Sequence, residues 1–96
     1  MMSNDSDREP IQELDDDTRD MHRAIISLRE ELEAIDLYNQ RVATCVNSEL
    51  KAILAHNRDE EKEHAAMILE WIRRQDSKFD EELKDYLFSD KQLDHD

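Results

Sequence analysis

The sequence contains no glycine, one proline (Pro10) and one cysteine (Cys45). Without glycine it can form no glycine-rich phosphate loop, dinucleotide fingerprint or nucleophile elbow. The two-residue turns of β-hairpins also lose their favoured residue. A lone cysteine makes no intrachain disulfide, and a reducing cytoplasm is the simpler setting. Cys45 has no catalytic context and reads as a small core residue. Long apolar runs are missing, so neither a signal peptide nor a membrane span is expected. Positive charge is scarce: 13 Lys and Arg stand against 26 Asp and Glu, a formal net charge of −13. Such a chain repels nucleic acid and anionic membranes, so neither is an expected partner. The acidity fits cation binding, and it equally fits a plain solvated surface.

What is present favours helix: Glu, Asp, Leu, Ala, Lys, Arg and Ile dominate the 96 residues. A chain this short buries only about 60% of its surface, so oligomerisation is a natural remedy for a small core. Residues 1–12 are polar and acidic and read as a flexible N-terminal arm. Residues 13–88 read as one helical domain, and 89–96 as a frayed tail.

The first helix is expected over 13–44. Its apolar positions Leu14, Met21, Ile25, Leu28, Leu32, Ile35 and Val42 recur in steps near three and four. A break at Val46-Asn47-Ser48 follows, with Asn47 or Ser48 as a cap for a second helix over 49–74. The short connection makes the two helices antiparallel neighbours. Arg73 and Arg74 suit the C-terminal end of that helix. After a turn at Gln75-Asp76-Ser77, the Ser77/Asp80 capping pattern starts a short third helix through Phe79, Leu83, Tyr86 and Leu87. The expected fold is therefore all-α: an antiparallel two-helix hairpin plus a short C-terminal helix.

Two helix stripes are interrupted by polar groups. In the second helix, Leu50, Leu54, Asn57, Glu61, His64, Ile68 and Trp71 lie along one face, apolar at both ends and polar in the middle. In the first, Ala24, Leu28, Glu31, Ile35, Tyr38, Val42 and Cys45 do the same. Burying a carboxylate or imidazole unpaired is costly, so something must compensate. In an antiparallel hairpin the two middles meet, bringing Glu31 toward Glu61 and His64. Glu61-Lys62-Glu63-His64 is a Glu-x-x-His motif with both side chains on one face. Di-iron carboxylate bundles take one Glu from each of two helices and Glu-x-x-His from each of two others. This chain supplies one helix of each kind, so two copies would complete a ferritin-like four-helix bundle with four carboxylates, two imidazoles and two divalent ions. A structural reading stays open: His64 paired with Glu61, and Glu31 in a salt bridge to Arg41 or Arg58. Tyr38 on its own is an ordinary core aromatic.

A second row, His56, Glu60 and Glu63, fits either a peripheral metal site or a solvated acidic face. Glu30 and Glu33 flank Glu31, where they would attract cations or simply be surface glutamates. The His-Glu-x-x-His motif of zinc proteases is absent. No serine sits where a nucleophile would: Ser27 is mid-helix, and Ser48 and Ser77 suit helix starts.

The blocks from His22-Arg23-Ala24-Ile25 to Glu30-Glu31-Leu32-Glu33-Ala34, and from Leu54-Ala55-His56-Asn57-Arg58 through Glu60-Glu61-Lys62-Glu63-His64 to Met67, resemble the encapsulated ferritin family. So do Leu69-Glu70-Trp71 and Arg73-Arg74. The resemblance implies a ferritin-like hairpin that forms homodimers around a di-iron ferroxidase centre and closes into a decameric ring. It implies oxidation of Fe(II) inside an encapsulin nanocompartment in the cytoplasm, where the shell stores the mineral. Carried onto this chain, the centre is Glu31, Glu61 and His64 with Tyr38 beside it, holding two iron ions per subunit pair. Glu30 and Glu33 match the position where metal approaches, and His56, Glu60 and Glu63 a peripheral site that calcium or zinc would suit. Leu37 stands where the family often has tryptophan, which bears on the approach path. The family usually continues into a targeting peptide, and this sequence ends at Asp96 without one. An encapsulin partner is thus expected if the full-length chain carries that tail. Two rivals remain: a rubrerythrin-like di-iron oxidase or peroxidase, which normally carries both half-sites in one chain, and a non-enzymatic acidic assembly or metal-binding protein.

Overall fold

The computed structural model describes residues 10–94. The expected arm over 1–12 lies mostly outside the described residues. Its described end turns once as a 3-10 helix, Ile11–Glu13, closed by the Glu13 N–H donating to the Pro10 carbonyl at 3.0 Å. Leu14 and Asp15 are extended. Helix α1 therefore runs Asp16–Thr44, starting later than the apolar pattern suggests. Asp15 fixes that start, because its carboxylate accepts the Thr18 N–H at 2.7 Å. Asp16 and Asp17 add negative charge at the positive end of the helix dipole, and Arg41 sits in the last turn.

Helix α2 runs Ser48–Gln75 after a connection of Cys45, Val46 and Asn47. Asn47 is the cap, accepting the Leu50 N–H at 2.8 Å. Cys45 ends α1 and is half-buried, with Sγ 3.5 Å from the Asn47 carbonyl. It belongs to the connection and not to a core. So short a link returns α2 antiparallel along α1, giving a hairpin about 43 Å long for its helices of 29 and 28 residues.

Helix α3 runs Ser77–Tyr86, and its cap differs from the expected one. Asp76, not Ser77, accepts the Phe79 N–H, at 2.9 Å. Asp76 also ends α2, so the expected three-residue turn shrinks to one residue serving both helices. A carboxylate is the stronger acceptor, and this frees Asp80 for another role. Arg73 forks onto Glu70 with two bonds of 2.7 Å and also donates to Asp80 of α3. Arg74 adds 2.7 Å to Glu70, and Lys84 adds 3.0 Å to Asp80. This charged chain clamps α3 onto the end of α2. Phe88 follows α3 with φ 59°, in the left-handed region that glycine usually occupies after a helix; this sequence has none to offer. Lys91 then folds the described part of the tail back, 2.8 Å from Asp85 and over the Tyr86 ring.

Among the described residues only Ala65 and Ile72 are buried. Ile25, Leu32, Ile53, Met67 and Trp71 are all substantially exposed in the single chain. A hairpin gives each helix one neighbour, so an apolar stripe wider than that contact is left uncovered.

Two outcomes follow. Ile72, 1% exposed, is the one large side chain that is fully buried among the described residues; Ile72→Ala should cost about 2–4 kcal/mol by chemical denaturation at fixed protein concentration. Paired with Arg73 and Arg74, Glu70 titrates at about 2 in the folded chain against 4.5 ordinarily. Its contribution to the α3 clamp is thus full above 4.5 and fades as pH falls toward 2. Hydrogen exchange of α3 amides should rise over that interval relative to α2, and Glu70→Gln should weaken that acid dependence, leaving the part set by Asp80, which Lys84 and Arg73 also hold low, while loosening α3 a few-fold at neutral pH.

Candidate metal centre

The hairpin brings three chemistry-bearing side chains to its middle. Glu31 comes from α1, and Glu61 and His64 come from one face of α2, three residues apart. One ligand atom from each lies within 4.8 Å of the others, and no other group of three potential ligands converges among the described residues. His64 Nδ1 is 3.6 Å from Glu31 Oε2 and 3.6 Å from Glu61 Oε2. Those distances are long for hydrogen bonds, so the imidazole does not close a pair with either carboxylate. It stands between both, at the spacing of groups gathered around a third body.

Glu31 and Glu61 are largely covered, with side chains 24% and 26% exposed, while His64 faces outward at 46%. Oε2 of Glu31 is buried with no hydrogen-bond partner. Two ionised carboxylates are both acceptors and cannot satisfy each other. A proton on one allows a hydrogen bond between them. This bond to Glu61, then burial and the negative charge of Glu61, push the Glu31 carboxyl above its usual range, opposed by His64. An orphaned carboxylate oxygen beside a second carboxylate and an imidazole fits a divalent cation. The oxygen-rich donor set suits iron or manganese, and zinc accepts it as well.

The salt-bridge partners expected for Glu31 have other roles. Arg58 donates to Asp59 at 3.1 Å and to Asn39 of α1 at 3.4 Å. Arg41 stacks over the Tyr38 ring, 5.3 Å from its centroid. Tyr38 itself is half-buried two turns along α1 from Glu31, about 10 Å of axial rise. Glu30 is exposed beside the cluster, and Glu33 is half-buried. In the peripheral row, His56 Nε2 pairs with Glu60 Oε1 at 2.5 Å, whereas Glu63 lines a different groove with Met67 and Trp71. The row lies on one helix, but its three side chains do not gather as Glu31, Glu61 and His64 do. Asn57 sits on the same stripe as Glu61, one turn before it; the sequence pattern showed the position without showing a role.

This chain matches the EncFtn-like family over residues 6–90. It is 58% identical over 88 residues to the encapsulated ferritin-like protein of Rhodospirillum rubrum, covering 92% of this chain and 63% of that protein. It thus spans less than two thirds of that relative's length. It is 52% identical over 89 residues to the ferritin-like protein of Thermotoga maritima, covering 93% of this chain and 78% of that one. The crystal structure of protein ne0167 from Nitrosomonas europaea is 78% identical and superposes with a TM-score of 0.87, covering 91% of this chain and 96% of that one.

The raised Glu31 carboxyl sets a pH dependence. In the metal-free protein the fold holds this proton more tightly than the unfolded chain does, so stability falls as pH rises from 4.5 through the raised value. A divalent ion must displace the proton. Zinc(II) or manganese(II) affinity should therefore rise with pH across that interval and then level off, with protons released on binding. Calorimetry in buffers of different ionisation enthalpy measures that release. Glu31→Gln should remove the part of that release that Glu31 supplies and make the metal-free protein more stable at neutral pH.

Proposed function

This chain belongs to the encapsulated ferritin family, and on that footing we propose that it is a ferroxidase, oxidising Fe(II) to Fe(III) at a site formed between two copies. The observation that carries the reading is the half-site: two carboxylates and one imidazole converge, with a buried carboxylate oxygen left unsatisfied. One chain offers too few ligands for two ions. Two copies offer four carboxylates and two imidazoles, and four negative charges balance two divalent cations. The fold is ferritin-like and all-helical, and a second hairpin laid on this one makes its four-helix bundle.

Iron is the substrate. Glu61, nearest the shared middle of the hairpin, would bridge or chelate; Glu31 would bind terminally; His64 would supply a nitrogen. Each Fe(II) gives up one electron to an oxidant, oxygen or peroxide. Anionic oxygen ligands favour the more highly charged product, so the same residues that bind Fe(II) also drive its oxidation. Wherever Glu31 still holds a proton, metal entry displaces it. Glu30 and Glu33 would concentrate Fe(II) near the site by steering, and Tyr38 would flank it from the same stripe, two turns along α1. The relative named as encapsulated supports a shell partner for this chain. Iron storage in an encapsulin compartment and the assembly of homodimers into a decameric ring are part of the proposal, as the family resemblance implies.

The test is to load Fe(II) anaerobically, admit oxygen and follow ferric absorbance. Wild type should oxidise iron, and Glu31→Ala, Glu61→Ala and His64→Ala should each slow it by about tenfold or more, since even partners one step removed from a metal cost that much. Unchanged rates in all three variants would refute the ferroxidase reading.

A further inference from the structure

We infer that a second copy of this chain seats its Ile53 against Trp71, in two symmetry-related contacts that flank the shared site. The inference rests on the proposal that two copies complete that site, and it specifies how they meet. A shallow groove of about 440 Å³ runs beside the cluster, lined by Ala24 and Ser27 of α1 and by Met67, Ile68 and Trp71 of α2, with Asp20 and Arg23 at its edge. Its walls are mostly apolar, yet Met67 is 63% and Trp71 38% exposed in the single chain. At the other end of the same helix, Leu50 and Ile53 are exposed too, at 48% and 52%.

The spacing of these residues picks the occupant. Trp71 and Ile53 are 18 residues apart, about five helical turns, so they lie on one line of α2. The midpoint of Glu61 and His64 falls between them. Trp71 is about 13 Å from it toward Gln75, and Ile53 about 14 Å toward Asn47. A ferritin-like bundle joins its two hairpins by one long crossover. A long crossover is needed when the second hairpin runs opposite to the first; a short link would suffice otherwise. The two-fold axis relating two copies of this hairpin therefore lies across the helices, through the site, and it inverts levels about it. Trp71 of one copy then falls within about 1 Å of the axial level of the other copy's Ile53, and the reverse. An axis along the helices would instead set groove against groove and Ile53 against its own counterpart, leaving Trp71 with no Ile53 across the interface.

Trp71 is the sole tryptophan, so its emission reports the contact. A nitroxide is attached to Ile53→Cys in a Cys45→Ser background. Within one chain the label and Trp71 are about 27 Å apart along the helix, too far for contact quenching. Dimers of labelled protein should lose most of their Trp71 emission, and dilution to monomers or reduction of the nitroxide should restore it. Unlabelled Ile53→Arg should shift Trp71 emission to the red and dissociate dimers at concentrations where wild type and Ile53→Val remain paired. Dimers of normal mass with undiminished emission in the labelled protein, or with wild-type emission in Ile53→Arg, would overturn the contact while leaving the shared site intact. A wild-type chain that stays monomeric with saturating Fe(II) would overturn both.

Discussion

Two carboxylates that repel one another are held together at the middle of a seam that is apolar toward both ends. The rest of the structure depends on that constraint. Glu31 and Glu61 are mostly covered, His64 stands 3.6 Å from each, and one oxygen of Glu31 has no partner. Left to itself the cluster keeps a proton that an ordinary glutamate would shed, which is why Glu31 is raised. A divalent cation removes the repulsion, satisfies the oxygen and releases the proton. The hairpin geometry therefore stores a preference for metal in the way it places acids, not in any specialised loop.

The same hairpin is too thin to stand comfortably alone. Only Ala65 and Ile72 are buried among the described residues, and large apolar side chains lie open on its flanks. On the proposed reading, one hairpin lacks half of a core and half of a metal site. A second copy would supply both at once, because the uncovered stripe and the unfinished ligand set share one face of α2. Folding energy and metal binding are then coupled through association: the ions neutralise the acids that would otherwise drive two such chains apart, and the apolar ends of the face add the burial that a single hairpin lacks.

Much of this was legible in the sequence. Interrupted apolar stripes marked Glu31, Glu61 and His64, and a short Asn-containing break placed α1 against α2. The rest depended on choices that periodicity does not record. The first helix starts at Asp16 because Asp15 captures the Thr18 N–H, whereas Leu14 had looked like its first apolar position. At the second turn two residues competed for the cap and the carboxylate of Asp76 won over Ser77. That choice released Asp80, and with it the clamp from Arg73 to α3; the sequence had shown Arg73 only as a cation suited to a helix end. Apolar stripes also say which residues want cover, not which receive it. Ile25 and Leu32 fit the pattern of a buried face as well as Leu28 does, yet they remain open because one neighbour covers only part of a helix. Cys45 fits a core by type, but the chain has no core at that end.

The central claim is that each chain holds half of a two-metal site. Native mass spectrometry of the wild-type protein, titrated anaerobically with Fe(II), tests it most directly. Metal should enter as two ions per pair of chains, cooperatively with association. Metal that binds stoichiometrically to a lone chain, with no change in its mass state, would contradict it.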